Sequence, residues 1–504
     1  MLLPTVSNCL LRDSEEIVRA MGEARRLQID WSQQSVVERA KVAQELSHRL
    51  VDWAPRLVDA INIPQRRNAR ESISAEILPL AAAAKWLGKN ATKVLQPRTL
   101  SSWRSPLWLS GVRAEEVRDP FGMVMIIAAW NYPLLLMGSH SLQALVAGNA
   151  VAIKTAPGCE SVTQLWIDLL VECGVPRGLI IGLDPQRESL DHALKSTIDL
   201  VVMTGSSEGG RKVLEKIAPH GIPAVMELGG ADACFVLASA DLDRAARAMR
   251  FSLEMNSSAT CMASRRIFVD RKVYTAFQQR LANHLQSMPQ PYVDPRTTAQ
   301  LRPIIDQALI EGAKRFGEES AMANAPWPMV LENVKESMAI YRHDAFAPLL
   351  MLIPFDQIDQ ALTMDRQSPY GLSAAIFGNE VEAKNLASKL DVGFVCINDV
   401  IVPTADPRVA FGGRKASGFG MTRGAEGLRS MTQLKTVSIR RGTWLPHLDK
   451  ETPSDTKLLW GMLSALHGKT WKAKWHGVRT MISAIRSRRS EQRSTIEDKK
   501  NDKE

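Results

Sequence analysis

An α/β protein built from two successive units is what the sequence predicts, on three observations. From Phe121, runs that read as buried strands (Met123 to Ala128, Ala150 to Ile153, Leu179 to Gly182, Leu200 to Met203, Pro223 to Met226) alternate with helical stretches such as Leu134 to Val146 and Ser161 to Glu172. After Arg266 the alternation resumes, with helices over Lys272 to Met288 and Thr298 to Phe316, and strands and turns within Ala345 to Pro348, Tyr370 to Phe377 and Val392 to Asn398. The length of 504 residues allows two or three domains, and 45% hydrophobic with 23% charged residues is ordinary for a soluble globular chain. Strands joined through helices make a mostly parallel sheet, whose ligands gather beyond the strands' carboxyl ends.

The elements flanking this alternation are less eventful. Asp13 to about Val94 reads as helical scaffold: Ile17, Ala20, Met21, Ala24 and Leu27 recur at helical spacing, Val36 to Leu50 behaves similarly, and Pro64 and Pro79 interrupt. Ser101 to Pro120 mixes Trp103, Leu107, Trp108, Val112 and Val117 with Arg104, Arg113 and Arg118, which predicts an extended hairpin, either a surface ribbon or a strand for a partner subunit. A proline-rich loop is expected around Pro326 and Pro328, and the strand-like Lys435 to Ile439 closes the globular part.

Composition also excludes function classes. The six cysteines (Cys9, Cys159, Cys173, Cys234, Cys261, Cys396) contain no CxxC pair, which argues against a disulfide framework or a zinc site and fits a reducing compartment. The nine histidines form no HxxH or HExxH pattern, so no metal is expected. No apolar run approaches the roughly 18 to 20 residues of a bilayer span, and Met1 to Leu11 lacks a basic leader. A cytoplasmic protein is expected. The net charge is +9, and from Glu451 onward 12 Lys or Arg stand against 7 Asp or Glu. Without a recognition motif this basic end does not predict nucleic acid as a partner.

Chemistry concentrates between Met226 and Arg266. Glu227-Leu228-Gly229-Gly230 places a carboxylate at a strand end beside two glycines, and Cys261 lies in a small-residue turn before the strand-like Arg266 to Val269. A thiol nucleophile and a base for water are what a two-step covalent acyl mechanism needs. Each alone also fits a bland role, an inert core cysteine or a strand running into a tight turn. Asn131, Lys154, Thr204 to Ser206 and Glu227 all fall at carboxyl ends of strands, and that convergence marks a site. The Thr204-Gly205-Ser206 turn into a helix suits a pyrophosphate through free N–H groups and the helix dipole, although it lacks GxGxxG.

Read together, these segments resemble the aldehyde dehydrogenase superfamily over about residues 10 to 441. The matches are Trp130-Asn131-Tyr132-Pro133, Gly148 to Lys154, Thr204-Gly205-Ser206 with Gly210, Glu227-Leu228-Gly229-Gly230, Cys261, Phe346 with Pro348, Tyr370-Gly371-Leu372, and Phe411-Gly412-Gly413 with Ser417-Gly418. The resemblance implies a Rossmann-like cofactor domain (1–101 and 121–229), a second α/β catalytic domain (230–431) and a small β oligomerisation ribbon (102–120 and 432–441); the basic amphipathic tail (442–504) falls outside it. It implies NAD or NADP as cofactor, an aldehyde as substrate, and a homodimer or homotetramer. Cys261 would attack the aldehyde carbon, and the Asn131 amide with the Cys261 N–H would hold the oxyanion. Glu227 would activate the water that hydrolyses the thioester, a role favoured by burial. Trp130, Lys154, Thr204, Gly205, Ser206, Gly210, Leu228, Gly229, Asp344 and Phe346 would contact the cofactor.

Several positions depart from the family pattern: Ser258 and Ala259 before the cysteine, Asp344 where Glu is usual, Pro157 where many NAD-preferring members carry Glu, and Gly230 to Ala233 without Lys-Ser-Pro. Pro157 leaves NAD and NADP both open. A CoA-acylating or reductase relative is one alternative, which Glu227 argues against, and a catalytically silent scaffold is another. Pro403 to Val409, with Phe251 and Met255, would shape the substrate pocket. Beyond the family pattern, Leu459, Leu463, Leu466, Trp471, Trp475, Val478, Ile482 and Ile485 follow helical spacing among Lys and Arg. Such a helix over 457–489 either docks on its own protein or lies on an anionic membrane surface.

Overall fold

The computed structural model describes residues 10–501 apart from 62, 67, 102–104, 107–108, 110, 317–326, 442–444, 446 and 449, with side chains beyond 488 described only at 490. It divides into two compact units, Met1–Leu100 with Ala114–Val437, and Ser101–Arg113 with Ser438–Glu504. Both expected α/β regions therefore lie in the first unit.

The first sheet has six strands in the order Gly418–Phe419, Ala224–Glu227, Leu200–Thr204, Met123–Ile127, Ala150–Lys154 and Ile180–Leu183. All pairs are parallel except that of Gly418–Phe419 with Ala224–Glu227. Met123–Ile127, the strand reached first, is central; the chain builds outward on one side and then returns to the other. That reversal opens a crevice at the carboxyl edge, where Asn131, Lys154, Thr204 and Glu227 all lie because parallel strands end together. The strand interiors are fully buried, as their unbroken Val, Ile and Met content demands.

The Leu135–Ala147 helix packs against this sheet and buries every residue from Leu136 to Ala147, including the polar Ser139, His140, Ser141 and Gln143. Gly148 ends it at φ +104°, a left-handed turn that a side chain would oppose. Asn149 then joins three segments: its amide donates to the Ala144 and Met431 carbonyls at 3.0 Å, and its Oδ1 accepts the Gly122 N–H at 2.9 Å.

After Glu227 the chain changes sheets. The second sheet has seven strands, in the order Lys314–Arg315, Met329–Glu332, Leu349–Phe355, Ser264–Asp270, Asp232–Val236, Ser373–Phe377 and Phe394–Ile397, parallel except at the Lys314 edge. A core lies on each face, one around Phe235 and Phe268, the other around Ile267 and Phe377.

Several local expectations need correction. The helix expected over Thr298 to Phe316 spans Pro295–Ile310, because Gly312 at φ +105° reverses the chain and frees Lys314–Arg315 to pair as an edge strand. Among the described residues of Ser101 to Pro120, the strand Val112–Pro120 pairs outside the segment, antiparallel with Arg98–Leu100, and the three-stranded sheet is completed by Thr432–Arg440. Trp103, Arg104, Leu107, Trp108 and Pro326 lie outside the described residues. The C-terminal segment is two helices, Pro453–His467 and Trp471–Asn501, where one was expected.

Candidate active site

Glu227 ends its strand 5% exposed. Its Oε1 accepts the Thr422 hydroxyl at 2.9 Å, its Oε2 accepts the Thr204 hydroxyl at 3.2 Å, and His140 Nε2 lies 3.5 Å from Oε2. Thr422 arrives through the glycine-rich loop. Gly418 pairs opposite Glu227 at φ +104°, and a Cβ there would strike the Met226 carbonyl, so only glycine allows the strand to close.

Cys261 follows a strained turn. Asn256, Ser257 and Ser258 have φ of 54°, 47° and 61°, a region side chains rarely occupy. Buried Arg265 holds the turn: Nη1 donates to Ser258 Oγ at 2.6 Å and to the Ala347 carbonyl at 2.9 Å, and Nη2 donates to the Ser258 carbonyl at 2.6 Å. Burial lowers this guanidinium to about 10. Asn131 Nδ2 donates to the Ala259 carbonyl at 3.0 Å, and Asn256 Nδ2 donates to the Asn131 carbonyl at 2.9 Å. One Asn131 amide hydrogen is thus committed to the turn, leaving the amide a second donor. Ala259 contributes its backbone carbonyl to the turn, and Ser258 accepts from Arg265 through its hydroxyl and carbonyl. Tyr132 and Thr260 share a 2.6 Å hydrogen bond next to the cysteine.

The two ends of the 226–266 stretch meet. A Cβ on Gly230 would sit 2.7 Å from the Cys261 carbonyl, so the Glu227 loop and the Cys261 turn touch only because that residue is glycine. Burial pushes the Cys261 thiol up, the charges of Glu227 and Asp232 push it further, and Arg423 pulls the other way.

The cofactor candidates occupy the neighbouring edge. Ser206 caps the Ser207–Ile217 helix by accepting the Gly209 N–H at 3.1 Å. Gly210 is buried with no room for a side chain, since a Cβ would lie 2.6 Å from Leu228 Cδ1. A Cβ on Gly229 would collide with the Asp344 carboxylate. Burial raises that carboxyl to about 7 against the opposing charge of Arg265, and its Oδ1 is buried with no hydrogen-bond partner among the described residues. Trp130 and Phe346 meet edge to face, 6.1 Å between centroids. Lys154 Nζ donates to the Pro185 carbonyl at 2.8 Å, and burial lowers its pKa. A helix start, side-chain-free close approaches and an open buried acceptor fit a dinucleotide.

Sequence reasoning missed several groups. His140 is buried in the Leu135–Ala147 helix beside Ser139 and Ser141, with no motif to mark it; burial lowers its pKa while Glu227 opposes, and its Nε2 has no hydrogen-bond partner among the described residues. Glu76 was read as scaffold, yet its Oε2 accepts the Leu134 and Leu135 N–H groups at 2.7 and 3.0 Å, and Arg66 bridges it to the Asn131 carbonyl. Thr404 to Pro407 line a cavity together with Trp86, Leu135 and Arg423. Neither Cys261 nor Glu227 lines that cavity; Phe251 is exposed, and Met255 packs near Tyr132 and Leu136.

A two-sheet α/β body with a dinucleotide-suited crevice beside a turn-borne cysteine and a buried glutamate defines a class, the nicotinamide-dependent oxidoreductases. Comparison narrows it. The family model described as "Aldehyde dehydrogenase family" matches residues 5–437. A Methylomonas protein named 4,4'-diapolycopene aldehyde oxidase is 33% identical over 422 residues, 82% of this chain and 79% of that protein. The NADP-dependent glyceraldehyde-3-phosphate dehydrogenase of Bacillus halodurans, solved with NADP, superposes with TM-score 0.78 at 26% identity, covering 85% of this chain and 92% of that one. Lactaldehyde dehydrogenase from Escherichia coli shares the fold, with TM-score 0.78 at 23% identity over 85% and 92% of the two chains. The chain belongs to the aldehyde dehydrogenase family. It is an NAD(P)-dependent oxidoreductase acting on aldehydes.

Proposed function

We propose that the protein oxidises its aldehyde to a carboxylic acid through a thioester on Cys261, hydrolysed by water that Glu227 activates. The packing of Gly230 on the Cys261 carbonyl carries this reading, because it puts the carboxylate's loop against the nucleophile's turn. Cys261 Sγ bonds to the aldehyde carbon and loses its proton, while the second Asn131 amide hydrogen and the Cys261 N–H hold the oxygen that becomes negative. Bound NAD+ or NADP+ supplies the hydride acceptor. The acyl group then rests on Cys261 as a thioester; water adds to it, Glu227 takes the water's proton, and the Cys261 sulfur departs with the acid released. Thr204 and Thr422 orient the Glu227 carboxylate, and Glu76 with Arg66 fixes the Asn131 loop.

The pyrophosphate is assigned to Gly205 and Ser206, the remaining cofactor contacts to Trp130, Lys154, Thr204, Gly210, Leu228, Gly229, Asp344 and Phe346. We assign the cofactor role to 1–101 with 121–229, catalysis to 230–431, and homo-oligomerisation to 102–120 with 432–441. The reading includes a cytoplasmic enzyme with a peripheral membrane contact through 457–489. The test is NAD(P)H formation by wild type and Cys261→Ala over short, long and aromatic aldehydes with each cofactor. Activity lost in the variant supports the reading; equal activity in both overturns it.

A further inference from the structure

The C-terminal hairpin presents an unusual surface. Pro453–His467 and Trp471–Asn501 pack backbone to backbone through glycines: a Cβ on Gly461 would lie 2.7 Å from the Met481 nitrogen, and one on Gly477 would lie 2.6 Å from the Gly461 carbonyl. Thr452 with Asp455 forms a capping box at the start, and Arg488 closes the far end on Asp455 at 2.8 Å. Gly477, Ala484 and Arg488 are the buried positions among the described residues of the second helix.

What the hairpin leaves outside is apolar. Trp471, Trp475, Val478, Ile482 and Ile485, spaced by 4, 3, 4 and 3, form one stripe and are 75, 52, 36, 48 and 39% exposed. Leu459, Trp460 and Leu463 of the first helix are 64, 64 and 52% exposed. A stripe of this size with stacked tryptophans needs a cover. Lys472, Arg479 and Arg486 recur every seven residues, so they form a row along one flank of the stripe. Between Pro453 and Ser490, eight Lys or Arg stand against one acid, Asp455. No described helix is long and apolar enough to cross a bilayer.

We infer that the cover is the surface of a bilayer rich in anionic lipid, with the Trp471–Ile485 stripe in the acyl boundary and Lys472, Arg479 and Arg486 at the lipid phosphates. This deepens the membrane contact named above by assigning its residues and its lipid charge. A second copy of the hairpin would set the basic rows of two helices near each other, which charge repulsion opposes; zwitterionic lipid leaves those rows unmatched.

The test is co-sedimentation of the full chain with phosphatidylcholine vesicles and with vesicles also containing phosphatidylglycerol. It is independent of whether the protein oxidises aldehydes. Wild type is expected to bind the anionic vesicles about tenfold or more tightly than the neutral ones. Lys472→Gln/Arg479→Gln/Arg486→Gln should erase that difference, and Trp471→Ser/Trp475→Ser/Ile482→Ser should lose binding to both, with circular dichroism unchanged in each. Equal wild-type binding to both vesicles, or unchanged binding by both variants, overturns the inference. So does an absence of vesicle binding with gel filtration showing the apolar variant smaller than wild type, which would assign the face to a second copy.

Discussion

At the scale of single residues, the charges around Cys261 give the sharpest expectations. Its thiol is pushed up first by burial and next by Glu227. Replacing Glu227 by Gln removes a negative charge, so the thiol should ionise at lower pH. Alkylation of Cys261 by iodoacetamide should then run several-fold faster in Glu227→Gln than in wild type, and an unchanged rate would place the two groups out of electrostatic reach. The four other described cysteines are buried, and reading the label on the Cys261 peptide separates it from Cys9. Asp232 offers a stability test. Burial raises its carboxyl from 3.8 to about 7, with Ser373 opposing. The folded state therefore holds a proton that the unfolded chain releases between about pH 4 and 7, and stability falls as pH rises through that window. Asp232→Asn, which keeps the proton-free cost out of the core, should gain Tm relative to wild type as pH rises from 5 to 8; a constant difference would contradict the raised pKa. Asn131, Glu227 and Cys261 were legible because strand ends and a small-residue turn mark them locally. His140 and Thr422 were not, because their roles come from side chains meeting across distant segments.

At the scale of elements, the site depends on which backbones touch. Gly229→Ala drives a methyl group into the Asp344 carboxylate and should weaken cofactor affinity about tenfold or more, read as Kd by protein fluorescence quenching. Glu76→Ala removes the acceptor for two N–H groups ahead of the Leu135–Ala147 helix and leaves Arg66 buried without its partner, 4% and 0% exposed as the pair stands. Breaking a buried pair costs about 3–5 kcal/mol. Calorimetry should show a clear fall in Tm together with reduced turnover, because Arg66 also holds the Asn131 carbonyl; a Tm unchanged within error would contradict this account. The parallel strands were readable from unbroken Val, Ile and Met runs. The antiparallel edge strand at Gly418–Phe419 was not, since two residues carry no periodicity and their partner lies far back in the chain. The break between the C-terminal helices was hidden by apolar residues recurring on both sides. Gly468 and the Thr470 hydroxyl, which accepts the Ala473 N–H at 3.1 Å, were the available signals.

At the scale of the whole molecule, the family match ends at residue 437 and the helical hairpin lies beyond it. The reaction is assigned to residues of the first unit, so Trp471→Ser/Trp475→Ser/Ile482→Ser should leave turnover of a short soluble aldehyde within about twofold of wild type. The central claim is the acyl thioester on Cys261, and intact-protein mass spectrometry of Glu227→Gln tests it most directly. Mixed with cofactor and aldehyde, this variant should release NAD(P)H stoichiometrically with the enzyme and then stall, carrying the acyl mass on the Cys261 peptide. Rapid, continuing turnover by Glu227→Gln, or an acyl mass on any other residue, would contradict the account.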